Sequence, residues 1–121
     1  MADEGFGTVE TEQLGPSLWV LELAGEHDLS TAPLVAAAFE RISVTGTTVV
    51  VEFTETSFID STVVAALVRR SLGGETLLLV VPRGSAVRRT LDLIQIPDLL
   101  RTFETRGEAL QAVPSEDAPP V

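Results

Sequence analysis

The chain has no cysteine and one histidine in 121 residues. Without cysteine there is no disulfide, no thiolate nucleophile and no sulfur ligand, a composition that suits a reducing compartment. With His27 alone, no histidine-based metal cluster is expected, and any Ser-His-Asp triad has to use that one ring. No apolar run approaches the ~18 residues a membrane span needs, and Met1-Ala2-Asp3-Glu4 lacks the positive start of a signal peptide. The expectation is a cytoplasmic protein with no membrane role. Gly-x-Gly-x-x-Gly and P-loop patterns are also missing, so nucleotide chemistry has no support, and no cofactor is expected. Lysine is absent altogether, leaving eight arginines against eighteen acids and a net charge of −10.

That charge is unevenly placed. Residues 1–60 hold eleven acids and only Arg41 as a base, whereas the seven acids of residues 61–121 are balanced by seven arginines. An acidic half repels phosphates, which argues against nucleic acid and favours a partner with a basic face. Simple solubility accounts for the charge equally well.

What is present reads as one folded domain. Hydrophobic residues make up 45% of the chain and mean hydropathy is +0.29, which suits a globule able to bury one core. The central stretch is Val49-Val50-Val51-Glu52-Phe53, β-branched and almost continuously apolar, as a strand covered on both faces should be. A polar link, Thr54-Glu55-Thr56-Ser57, separates it from Phe58-Ile59. Asp60-Ser61-Thr62 then opens a segment with apolar residues at Val64, Leu67 and Val68, which is helical spacing, ending at Gly73-Gly74.

Around this centre the chain alternates. Residues 1–7 are expected to be flexible, Phe6–Leu14 alternates weakly, and Gly15-Pro16-Ser17 signals a turn. Leu18–Ala24 reads as a strand forming an antiparallel hairpin with its predecessor, broken by Gly25-Glu26-His27-Asp28. Ser30 is the expected cap of a helix running to about Ser43, with Leu34, Ala38, Phe39 and Ile42 inward and Gly46 as its stop. Thr76–Val81 is a second buried strand, followed by a helix capped by Ser85 that carries Val87, Leu91 and Ile94 and ends at Ile96-Pro97. Leu99-Leu100 with Phe103 form a short extended piece, and Gly107–Val113 a last helical turn or two. Residues 114–121, acidic and proline-rich, read as a disordered tail. The predicted fold class is α/β, a mixed sheet of four to five strands with an N-terminal hairpin and about four helices, over residues 8–113.

The candidate sites are few. Asp28 has the ordinary role of capping the next helix, with Glu26 a solvated loop charge. Asp60, Ser61 and Thr62 are all good caps as well. The alternative for Ser61 is phosphorylation, because a helix N-terminus tolerates an added phosphate while Asp60 and the acidic first half oppose it. His27, Asp28 and Ser61 make a triad on paper, but Ser61 lacks the Gly-x-Ser-x-Gly turn and nothing in the sequence supplies an oxyanion site, so an enzyme is not the expectation.

Three motifs in order resemble the STAS domains, and among them the bacterial anti-sigma factor antagonists. Val49–Phe53 followed by Ser57-Phe58-Ile59-Asp60-Ser61-Thr62 is similar to the family's strand and Phe-hydrophobic-Asp-Ser-Ser/Thr-Gly turn. Leu23-Ala24-Gly25-Glu26-His27-Asp28 is similar to its Gly-Glu-x-Asp, and Ser85–Leu91 to its Ser-x-x-Val-x-Arg-x-Leu helix. Glu108-Ala109-Leu110 falls in its closing helix. The resemblance runs from about Thr8 to Val113 and implies a STAS fold. It implies Ser61 as the phosphoacceptor of an anti-sigma factor with serine-kinase activity, and a protein that in its unphosphorylated form binds that factor and releases the sigma factor. It further implies partner contact through Asp28, Glu26, Asp60 and Thr62, and a phosphatase acting on phospho-Ser61. The alternative expectation is a non-catalytic sensor or scaffold module in which Ser61 is only a helix cap. Val63 stands where the family has glycine, placing β-branched bulk where a partner backbone is expected to approach.

Overall fold

The computed structural model describes residues 7–42, 46–94 and 100–114. Its five strands are β1 (Thr8–Gly15), β2 (Leu18–His27), β3 (Thr48–Ile59), β4 (Thr76–Val80) and β5 (Arg101–Phe103). They lie side by side in sequence order, with the β1–β2 hairpin antiparallel and every later pair parallel. The helices are α1 (Ala32–Ile42), α2 (Ser61–Leu72), α3 (Ala86–Ile94) and α4 (Arg106–Gln111). Parallel neighbours need crossovers, and α1, α2 and α3 supply them, while α4 follows the last strand.

Both faces of the sheet are covered. On one, Leu21, Leu23, Val49, Val51, Phe53, Leu77 and Leu79 pack against Val35, Phe39, Val64, Leu67, Val87 and Leu91 of α1, α2 and α3. On the other, Leu18, Val20, Val50, Leu78 and Val80 pack against Ala109 and Val113 at the C-terminal end of the chain. This two-sided burial is why β3 and β4 read as apolar runs rather than alternating ones.

Several boundaries differ from the sequence expectation. The link Thr54–Ser57 continues β3, and Gly25-Glu26-His27 continues β2. The two strands pair through Glu26↔Phe58 and His27↔Ile59, with register shifts at Glu22/Ala24 and Gly25/Glu26. Pairing with β4 stops at Glu52↔Val80, so the extension of β3 has a neighbour on one side only and carries polar residues without cost. Gly25 has φ 83, a left-handed conformation that suits glycine at the irregularity. The helix expected to be capped by Ser30 starts two residues later, at Ala32. Its inward residues are Val35, Ala38, Phe39 and Ile42, while Leu34 is 51% exposed. Ile94 also faces outward rather than into the core. Gly73 receives the end of α2 as expected, its N–H donating to the Arg69 and Arg70 carbonyls, while the Gly74 N–H donates to the Ser71 carbonyl. Residues 1–6, 43–45, 95–99 and 115–121 lie outside the described residues. The expectations for most of the N-terminal segment and the acidic tail, for Ser43, and for Ile96-Pro97 and Leu99 fall on them.

Two carboxylates sit in the core with built partners. Glu52, 8% exposed, takes the Arg106 guanidinium at 2.7 Å and the Thr54 hydroxyl at 2.8 Å. Glu75, 7% exposed, is held by Arg70 at 2.8 Å. Buried acids persist only when paired and hydrogen-bonded in this way.

Candidate functional site

The C-terminal ends of the parallel strands β2 and β3 lie next to each other, and both lead directly into helices on the same face. Open parallel sheets place their binding sites at such strand ends. From β2 the chain turns through Asp28-Leu29-Ser30-Thr31 into α1, and from β3 it passes through Asp60 into α2. Glu26 and Asp28 on one turn are thereby brought to the same end of the sheet as Asp60, Ser61 and Thr62 on the other.

Asp60 is the N-cap of α2, with φ −120 and ψ −179. Its Oδ1 accepts the Thr62 N–H at 3.0 Å and the Val63 N–H at 3.3 Å, and its carbonyl accepts Val63 and Val64. Asp60 therefore takes up the Thr62, Val63 and Val64 donors of the first turn. Ser61 follows as the first helical residue. It is exposed, and its hydroxyl makes no hydrogen bond to any described residue. The expectation that Ser61 serves only as a cap is thus corrected, since the cap is Asp60. Thr62 is half-buried beside it. Val63 is fully buried in the helix-side core, so its bulk points inward, away from an approaching partner.

The neighbouring turn is closed by its own hydrogen bonds. Asp28 Oδ1 accepts the Ser30 N–H at 2.9 Å and the Ser30 hydroxyl at 2.6 Å, while the Asp28 carbonyl accepts the N–H groups of Thr31 and Ala32. Ser30 thus supports Asp28 rather than capping α1. The hydroxyl and then the amide of Ser30, donating to the carboxylate, hold Asp28 below its ordinary value of 3.8. Glu26 is exposed on β2, opposite Phe58.

His27 is fully buried, and its ring ties three segments together. Nδ1 lies 3.1 Å from the Thr31 hydroxyl, and Nε2 donates to the carbonyls of Ala24 at 3.1 Å and Thr8 at 3.2 Å. A ring with both nitrogens engaged and no exposure is not available as a general base, so the paper triad of His27, Asp28 and Ser61 is not assembled. No group of three or more potential metal ligands occurs among the described residues, and no helix there is long and apolar enough to cross a membrane.

Sequence reasoning passed over Phe58, which it grouped with Ile59 as apolar. In β3 the two residues point to opposite faces. Ile59 is buried, and Phe58 is 45% exposed at the same end of the sheet as Ser61. Strand alternation was the available signal.

A five-stranded mixed sheet carrying a capped helix whose first residue is an exposed serine, its hydroxyl unbonded to any described residue, defines a small α/β module. The STAS domain pattern matches residues 9–109, and the chain belongs to that family. No curated protein matches it by sequence. Among solved structures, it resembles an anti-sigma factor antagonist from Mycobacterium paratuberculosis at 22% identity and TM-score 0.73, covering 88% of this chain and 93% of that one. It also resembles the anti-sigma factor antagonist SpoIIAA in its unphosphorylated form, at 20% identity and TM-score 0.60, covering 88% and 100% of the two chains. The phosphorylated form of the Bacillus cell fate determinant SpoIIAA matches at 20% identity and TM-score 0.53 over the same shares. At these identities the likeness is one of fold.

Proposed function

We propose that this chain is an anti-sigma factor antagonist working in the cytoplasm as a non-catalytic binding module. Its unphosphorylated form binds an anti-sigma factor with serine-kinase activity and releases the sigma factor. Phosphorylation of Ser61 ends that binding, and a phosphatase acting on phospho-Ser61 restores it. Asp28, Glu26, Asp60 and Thr62 contact the partner around the serine.

The observation that carries this reading is the division of labour at the start of α2. Asp60 holds the helix, leaving the Ser61 hydroxyl exposed and unbonded to any described residue. A phosphoryl group can then be added without removing a structural hydrogen bond, at a helix end that favours anions. Membership of the STAS family supports the reading further. The test is incubation with an anti-sigma factor kinase and ATP, followed by intact mass and fragment mapping. A gain of one phosphate on Ser61 is expected, and an unmodified chain, or a phosphate on another residue, argues against it.

A further inference from the structure

A groove of about 270 Å³ runs between α1 and α2, lined by Ala36, Phe39, Ala66, Arg69 and Arg70. It exists because alanines stand on both helices where larger side chains would interdigitate. Its accessible apolar walls are Ala36 and Ala66, while the Phe39 ring beneath is fully buried, with the Arg70 guanidinium 5.2 Å from the ring centroid. Arg70 is fully committed, to Glu75 at 2.8 Å, to the Phe39 carbonyl at 3.3 Å and to Glu40 at 3.6 Å. The Arg69 side chain is exposed and makes no ion pair or hydrogen bond with any described residue, in a chain whose acids outnumber its bases by ten. Apolar alanine walls beside an unused guanidinium fit an aliphatic side chain followed closely by a carboxylate.

The groove shares a stripe of α2 with the Ser61 end of the molecule. Thr62, Ala66 and Arg69 follow i, i+4, i+7 spacing along one stripe of α2, and seven residues of helix advance roughly 10 Å. An ordinary interface buries about 800 Å² per partner, a disc of roughly 16 Å radius, so a protein centred on Ser61 covers the groove as well. The two ends of that footprint differ in sign. Glu26, Asp28 and Asp60 favour a basic surface at the serine, and Arg69 favours an acidic one at the groove.

We infer that the α1–α2 groove is a second anchor for the protein partner, taking an acidic amphipathic element that seats an aliphatic side chain between Ala36 and Ala66 and a carboxylate on Arg69. The inference rests on the proposed function, since it assigns the groove to the anti-sigma factor that binds around Ser61. The anchor lies most of a helix away from the phosphoacceptor. It fixes the orientation of the partner and is itself untouched by phosphorylation.

The test is calorimetric titration of the purified anti-sigma factor kinase, without ATP, into the wild-type chain and three variants. Arg69→Glu removes only an exposed, unbonded side chain, Ala66→Leu fills the groove without changing charge, and Arg89→Glu is a charge control on α3. Binding weaker by about tenfold for Arg69→Glu and at least about threefold for Ala66→Leu, with Arg89→Glu within about twofold, is the expected result. Wild-type-like binding by either groove variant overturns the anchor alone, as does an equal loss in Arg69→Glu and Arg89→Glu, which would mark a general field effect. A wild-type chain that does not bind the kinase overturns both the anchor and the function on which it rests.

Discussion

The Asp60 carboxylate accepts the backbone N–H of Thr62 at 3.0 Å, bridging over Ser61 and leaving that hydroxyl without a described partner. In a run of three residues that all cap helices well, only the first does so. Asp60→Ala should therefore lower the stability of the whole domain by about 0.5–2 kcal/mol, the ordinary cost of a lost cap. Ser61→Ala, an exposed change that removes no such bond, should stay within about 0.5 kcal/mol of wild type. Parallel denaturant melts check both, and a Ser61→Ala chain as unstable as Asp60→Ala would return the capping role to the serine.

The Asp28 carboxyl should titrate below 3.8, because the hydroxyl and amide of Ser30 donate to its ionised form. Since the folded value is depressed, the associated stabilisation is complete above the ordinary aspartate value and lost as pH falls through the folded one. Replacement of Ser30 by alanine removes the stronger of the two donors and should move the midpoint back toward the ordinary value. Side-chain carbon chemical shifts followed against pH report this directly, and an unshifted Asp28 in the wild type would contradict it.

Removal of the Arg106 side chain should leave the Glu52 carboxylate, 8% exposed, without its 2.7 Å partner. The guanidinium keeps some contact with solvent, so the expected loss is about 1–3 kcal/mol, typical of a buried group left unsatisfied. Glu52→Gln combined with Arg106→Ala should recover part of that loss by removing the stranded charge. Chemical denaturation of the single and double variants measures it, and a double variant no better than Arg106→Ala would show that the charge is not the source of the cost.

Much of this fold was legible from residue type. The β-branched run Val49–Phe53 and the apolar run Thr76–Val81 marked β3 and β4, because burial on both faces demands such runs. What could not be read depended on distant partners. Nothing local to Glu52 announces Arg106, fifty-four positions later. The extension of β3 through Thr54–Ser57 looked like a link because it pairs on one side only. At α1, Pro33 fixed the first turn but not the phase, so Leu34 was taken for its inward neighbour Val35. At the site, Asp60, Ser61 and Thr62 were visible as a group. Their division into cap and free hydroxyl was not, since all three residue types can cap.

The central claim is that a phosphate on Ser61 switches a surface without unfolding the helix that carries it. Its most direct test compares the affinity of the anti-sigma factor for unmodified and Ser61-phosphorylated chain, with circular dichroism of both forms and Ser61→Ala as the unswitchable control. The added anion sits at the favourable end of the helix dipole, beside Asp60 and near the Asp28 turn. The expected result is a helical signal nearly unchanged, a dissociation constant raised by about tenfold or more, and a Ser61→Ala chain that stays bound in the presence of kinase and ATP. Loss of the helical signal together with binding, or release of Ser61→Ala by kinase and ATP, would contradict it.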